Sequence, residues 1–163
     1  MKDLQLTNKK IFRKDQLSAQ TAEWKKKGMK IVFTNGCFDI LHRGHLEILN
    51  TAASFGDILV VGMNSDASVK RLKGENRPVN DEEFRCQIMA SLAIVDAVCL
   101  FDEDTPLELI LTIMPDVMVK GGDYSLSQII GADDVIRNGG EVKIVPLVKG
   151  YSTSALIEAI QRL

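Results

Sequence analysis

Two histidines, His42 and His45, the only ones in the sequence, stand three residues apart with Arg43 and Gly44 between them and can act together on a ligand. They follow a short apolar run, Ile31 to Phe33, and a polar, glycine-containing turn over Thr34 to Asp39. Beyond them Leu46, Leu49, Ala52 and Ala53 share one helical face, with Glu47, Asn50 and Thr51 on the others. The pattern predicts a strand, a tight loop and a helix whose first turn carries both imidazoles. Unpaired backbone N–H groups and the positive end of the helix dipole collect anions there. Positions i and i+3 share a face, so both rings can grip one phosphate and stabilise charge that develops in a transition state. Zinc is the competing reading, but it takes three or four ligands, and Cys37, Cys86 and Cys99 lack finger-like spacing. Phosphate chemistry is the better fit.

Other stretches offer groups to the same chemistry. Asn64 ends the apolar run Asp57 to Met63, where a parallel sheet presents ligand-binding loops. Lys120 opens Lys120-Gly121-Gly122-Asp123-Tyr124 after another apolar run. Its glycines allow close approach by a ligand, Lys120 is placed to meet an anion, and Asp123 can accept from hydroxyls. Ser152, Thr153 and Ser154 precede the last helix and can cap it while leaving N–H and O–H groups for phosphate, although a plain cap needs only one of them. The basic stretch Ser68 to Pro78 reads as a helix followed by a mobile loop on the same strand-exit side.

Such groups need a scaffold of alternating strands and helices. Asp15 to Lys27 predicts a helix with Leu17, Ala22 and Trp24 inward and Lys25 to Lys27 outward, stopped by Gly28. Val95 to Phe101, Asp116 to Val119 and Glu141 to Leu147 predict further strands, with Pro146 placing the last near an edge or its own end. Between them lies a helix capped by Asn80 or Asp81, with Phe84, Ile88 and Leu92 as its buried stripe and Arg85 off that stripe. Thr105 and Pro106 open another helix, and a weak one runs from Gln128 to Arg137. Residues 1–10 are polar, either loose or an arm on a neighbouring subunit. The expected fold is α/β, a doubly wound, five-stranded, mostly parallel sheet covered on both faces, with right-handed crossovers. Residues 29–163 should form one domain, with an N-terminal arm and helix, 1–28, packed on or beside it. Neither GxGxxG after the first strand nor GxxxxGKS occurs, which argues against a dinucleotide fingerprint and a P-loop.

A net charge of −2 gives no bulk attraction to nucleic acid or to an anionic membrane, and the basic residues are dispersed among acids. Three cysteines without close pairing suggest free thiols in a reducing compartment. The N-terminus has no signal-peptide core and no long apolar run occurs, so a cytoplasmic protein is expected, with no membrane and no nucleic acid among its partners.

Thr34 to Leu49, in which GCFDILH runs into His42-Arg43-Gly44-His45, resembles the signature of the HxGH nucleotidyltransferase superfamily. That superfamily includes glycerol-3-phosphate cytidylyltransferase, phosphopantetheine adenylyltransferase and the class I aminoacyl-tRNA synthetases. The likeness continues through GDILVVGMNSDASVKRLKG with RP, VDAV, EDTP, PDVMVKGGDY and Gly-x-Ser-Thr-Ser. From Lys30 onward the chain is similar to the adenylyltransferases that make ADP-activated heptose, and Met63 to Gly74 with Lys120 to Tyr124 favours that branch over the cytidylyltransferases. In many bacteria that activity is half of a fusion with a sugar kinase; no kinase half is present here, so a stand-alone form is expected.

The resemblance implies a Rossmann-like nucleotidyltransferase fold and transfer of AMP from ATP to a sugar 1-phosphate, D-glycero-D-manno-heptose 1-phosphate, for lipopolysaccharide biosynthesis. The alternative is CTP-dependent transfer to glycerol 3-phosphate or another small phosphate. It implies that His42 and His45 hold the triphosphate and act catalytically with Lys120 and Arg85. Thr34, Gly36 and Phe38 would line the nucleotide phosphate and ribose approach, and Ser152, Thr153 and Ser154 would bind the β- and γ-phosphates. Lys73 and Lys120 would neutralise the transferring phosphates or the sugar phosphate, with Arg85 also on the substrate. Asp39, Asn64 and Asp123 would take sugar or ribose hydroxyls. Magnesium is implied, carried mainly by the ATP phosphates without a protein ligand, and so is a homodimer. The chain departs from the family at Phe84, where relatives have Glu before the arginine, and at Ile157, where many carry a basic residue. Ala93 replaces an arginine of the cytidylyltransferases, which argues against cytidine as the base.

Overall fold

The apolar runs become strands because they are apolar on both faces; all seven residues of Ile58–Asn64 are buried. The computed structural model describes residues 7–163. Its strands are Ile11–Phe12 (β1), Ile31–Gly36 (β2), Ile58–Asn64 (β3), Ala97–Phe101 (β4), Val117–Gly121 (β5) and Glu141–Val145 (β6). They form one parallel sheet in the order β1-β4-β3-β2-β5-β6. The helices are Lys14–Lys26 (α1), Arg43–Ala53 (α2), Asp66–Lys73 (α3), Glu82–Ser91 (α4), Leu107–Ile113 (α5), Ala132–Arg137 (α6) and Thr153–Gln161 (α7). The alternation of β2 divides the core. Ile31 and Phe33 pack with Leu17, Leu109, Ile113 and Val135 on one face, and Val32 packs with Leu49, Ala52 and Met89 on the other.

Acidic residues just before the strands tie the entry end of the sheet. Asp57, Asp96 and Asp116 accept from the backbone N–H groups of Lys30, Leu59 and Ile31 at 2.7–2.8 Å. Those bonds keep the polar backbone satisfied at the end away from the histidines.

The sheet has six strands where five were expected. The additional one, β1, lies between the expected arm, 1–10, and α1, where no strand was expected, and it pairs Ile11 with Val98 and Phe12 with Cys99. Phe12 also meets Trp24 edge-on, with centroids 6.3 Å apart. Residues 1–6 of that arm lie outside the described residues, whereas Asn8–Lys10 is a 3-10 turn whose Lys10 Nζ donates to the carbonyls of Leu92 and Val95. In α1 it is Thr21, not Ala22, that is buried, and Lys25 reaches back to donate to the carbonyls of Ile113 and Met114 at the end of α5.

The expected stripe of α4 is rotated. Phe84 is 49% exposed, while Arg85, Cys86, Met89 and Ala90 face inward, and Asp81 is the cap, accepting from Phe84 N. The weak helix splits into a 3-10 turn, Leu126–Gln128, and α6, because Gly131 between them takes a left-handed conformation at φ 82°. β6 is an edge strand that stops before Pro146, as proline there requires.

Candidate active site

β2 runs three residues further than its apolar core predicts, to Gly36, and delivers the loop that ends in His42, the N-cap of α2. His45 follows in the first turn, and the two imidazoles stack with centroids 3.7 Å apart and planes 23° apart. The buried Phe38 packs its ring 5.3 Å from that of His45. Phe38 and Ile40 both take positive φ, 45° and 21°, a strained backbone that the surrounding contacts hold in place. A Cβ on Gly44 would lie 3.0 Å from the His42 ring and 3.4 Å from the Tyr151 carbonyl oxygen, so a larger residue there makes the His42 ring give way by a few tenths of an ångström. Gly44→Ala is therefore expected to displace His42 and lower the turnover rate about tenfold, with the melting temperature little changed; steady-state kinetics beside a thermal melt checks this.

The Nδ1 atoms of both histidines are buried without a hydrogen-bond partner among the described residues. Burial, reinforced by the neighbouring His42, holds the proton affinity of His45 down to a pKa of about 4, and burial lowers that of His42 as well. The unfolded chain therefore takes up a proton on His45 between about pH 6.5 and 4 while the folded protein does not. Acidification through that window is expected to reduce stability by roughly 2–3 kcal/mol. Urea melts at stepped pH should show this slope, and His45→Asn should flatten it.

Asp39, expected on a hydroxyl of substrate, is buried and committed elsewhere. Its carboxylate accepts from Arg77 Nε at 2.8 Å, Val79 N at 2.9 Å and Asn80 N at 3.0 Å. Burial pushes its pKa up, but these donors outweigh burial and hold it below the usual range. Asp39 thus pins the segment 77–80 against the histidine loop.

Arg85, expected on substrate, is 1% exposed and does not line the cleft. Its guanidinium donates to the carbonyls of Asn80 (3.0 Å) and Cys37 (2.6 Å) and to Asp66 Oδ1 (2.8 Å). It ties α4, the start of α3 and the histidine loop together from behind. Asp123 is exposed and also lies off the cleft.

The remaining candidates come together. Thr34, Gly36, Phe38, His42, His45, Asn64, Lys73, Lys120, Ser152, Thr153 and Ser154 all line one cleft of about 620 Å³. Ser152 is the cap of α7, its hydroxyl accepting from Ala155 N at 3.1 Å, and the hydroxyls of Thr153 and Ser154 make no hydrogen bond among the described residues. Asn64 donates from Nδ2 to Ser68 Oγ at 3.0 Å, which fixes its side chain. Lys120 Nζ donates to Asn35 Oδ1 at 3.2 Å, and burial lowers its pKa. With an amide partner and no carboxylate, its charge remains available to an anion. Asn35, Arg77 and the trio Asp104, Thr105 and Pro106 also line the cleft and were not anticipated. Arg77 and the trio fall in the RP and EDTP blocks of the sequence, which carried no assigned role. Among the described residues no cluster of three metal-ligating side chains occurs, and the cleft's two carboxylates are Asp39, whose oxygens are taken, and Asp104.

A doubly wound parallel sheet whose central strand leads into a histidine pair at a helix start, facing a second helix start rich in hydroxyls, defines an α/β nucleotide-binding protein of the HxGH type. Residues 33–159 match the cytidylyltransferase-like family, and the chain belongs to it. Bifunctional protein HldE of Rhodopseudomonas palustris (strain BisA53) is 53% identical over 145 residues, 89% of this chain and 30% of the relative. Its namesake from Koribacter versatilis (strain Ellin345) is 52% identical over 149 residues, 91% and 31%. The chain thus spans just under a third of the length of these curated relatives.

Among solved structures, the lipopolysaccharide core biosynthesis protein from Thermoplasma volcanium GSS1 aligns over 77% of this chain and 100% of its own, with 31% identity and a TM-score of 0.61. Pantoate-beta-alanine ligase from Francisella tularensis shares the fold at 15% identity and a TM-score of 0.60, over 94% of this chain and 79% of its own. No helix among the described residues is long and apolar enough to cross a membrane.

Proposed function

We propose that the protein transfers AMP from ATP to D-glycero-D-manno-heptose 1-phosphate, giving ADP-heptose and pyrophosphate. The observation that carries the reading is the convergence of the stacked His42–His45 pair, Lys120 and the Ser152–Ser154 helix start on one cleft. The choice of heptose rests on the sequence blocks from Asn35 to Tyr124 and on the 53% identity to one part of HldE.

The acceptor phosphate is already an anion at neutral pH and needs little general-base help. The barrier lies in bringing a dianion up to a polyanion and aligning them, so catalysis comes from positioning and electrostatics. An oxygen of the sugar phosphate attacks the α-phosphorus in line, one P–O bond forming as the bond to the bridging oxygen of the pyrophosphate breaks. His42 and His45 donate to the phosphate oxygens as charge gathers on them, while the N–H and O–H groups at Thr153 and Ser154 receive the departing pyrophosphate. Lys120 neutralises the transferring phosphate. Magnesium would come in on the nucleotide phosphates and screen their charge; among the described residues the cleft has no cage of carboxylates for it.

The reading extends to a cytoplasmic homodimer: Cys37, Cys86 and Cys99 are free thiols, and paired assembly is the commonest oligomeric form. Residues 29–163 act in this scheme as one catalytic domain, with the described part of 1–28 packed on it through β1 and Leu17. A CTP-dependent reaction with glycerol 3-phosphate is the second reading, favoured by the description of the family as cytidylyltransferase-like. Mass spectrometry of the products formed from mixed ATP and CTP with each acceptor separates the two; ADP-heptose supports the first, and CDP-glycerol the second.

A further inference from the structure

The exits of β3 and β4 furnish the cleft with groups that the phosphate chemistry leaves unused. Asp104, Thr105 and Pro106, after β4, line the same space as His45 and Lys73. This segment is built in place. Arg71 of α3 donates from Nε to Asp104 Oδ1 at 2.7 Å and from Nη2 to the Asp102 carbonyl, and Ser68 Oγ donates to the Glu103 carbonyl at 3.1 Å. Asp104 Oδ2 and the Thr105 hydroxyl take no hydrogen bond among the described residues.

The sheet order explains what this wall faces. β2 divides the sheet, with β3 and β4 on one side and β5 and β6 on the other. The hydroxyl-rich start of α7 follows β6 and the histidines follow β2, so the triphosphate belongs to that side and the acceptor to the exits of β3 and β4. A carboxylate there repels a polyanion but accepts well from neutral O–H groups. Arg71 fixes one of its oxygens and leaves the other to the cleft. Leu72 and Pro106 offer apolar surface to the C–H face of a sugar ring.

We propose that Asp104 and Thr105 determine acceptor specificity by reading neighbouring hydroxyls of a polyol phosphate whose phosphate lies toward Lys73, with Arg71 positioning Asp104. The proposal rests on the nucleotidyltransferase reading above and names the part of the cleft that selects the acceptor.

The test is calorimetric binding of heptose 1-phosphate, inorganic phosphate and a non-hydrolysable ATP analogue to the full chain and to Asp104→Asn and Thr105→Val, with steady-state kinetics alongside. Asp104→Asn also weakens the bond to Arg71, whereas Thr105→Val alters an exposed hydroxyl with no internal bond, so the two variants check each other. Each is expected to raise the Kd and KM for the heptose phosphate about tenfold while leaving kcat, inorganic phosphate and the ATP analogue within about twofold. An unchanged sugar Kd in both variants overturns the proposal. So does a rise confined to the ATP analogue, which would assign the wall to ribose, or a wild type that binds no sugar phosphate. Weakened sugar binding in the variants, with no pyrophosphate released by the wild type, would overturn the transferase reading and leave the acceptor wall standing.

Discussion

His45→Ala is expected to slow pyrophosphate release about 100-fold, equivalent to about 3 kcal/mol of lost transition-state stabilisation. The imidazole is held by α2 on one side, the Phe38 ring on another and the His42 ring at 3.7 Å. A group so fixed needs no reorganisation when charge develops on a phosphate oxygen, and for that reason its removal is costly. Alanine removes this donor and leaves His42 without its stacking partner. The deficit should fall on kcat more than on the KM for ATP, since the interaction is strongest in the transition state. Stopped-time assays of pyrophosphate with circular dichroism as a folding control measure this. A loss below about threefold in a folded variant would remove the histidine from the chemistry.

Arg85→Met is expected to be the most damaging substitution for stability, by about 3–5 kcal/mol. Methionine fills much of the volume but leaves Asp66 and the carbonyls of Cys37 and Asn80 without their donor. Burying those acceptors unpaired is the source of the loss. The side chain of Asp66 is 32% exposed and can be partly rehydrated, which favours the lower end of the range. For a chain of this length the melting temperature should fall by about 10 °C. Arg85→Lys keeps the charge but not the three-way fork, and it should fall between the two. A variant melting with the wild type would mean that the histidine loop does not depend on this tie.

The contrast between these two residues shows what was legible in the sequence. The unit from β2 to α2 could be read because its period changes abruptly from an apolar run to a helical stripe, with the histidines at the junction. The five longer strands were legible for the same reason. β1 was not: two residues, Ile11 and Phe12, display no period, and their pairing with β4 joins segments remote in sequence. Arg85 was misplaced because Phe84, Ile88 and Leu92 form a valid stripe at fourfold spacing, and a charged residue beside such a stripe reads as facing solvent. Its burial depends on partners in three separate segments. Asp39 looked like a ligand-binding carboxylate for an equivalent reason, since the donors that occupy it come from 77–80. That Lys120, Asn64 and the Ser152–Ser154 block would line one cleft could be read because strand exits and helix starts in parallel sheets gather at one edge.

The most direct test of the account is pyrophosphate release by the purified protein with magnesium, crossing ATP and CTP against heptose 1-phosphate and glycerol 3-phosphate. Release with ATP and the heptose phosphate alone, lost in His45→Ala, is the predicted result. Release with CTP and glycerol 3-phosphate, or release that persists without the histidine, would contradict it.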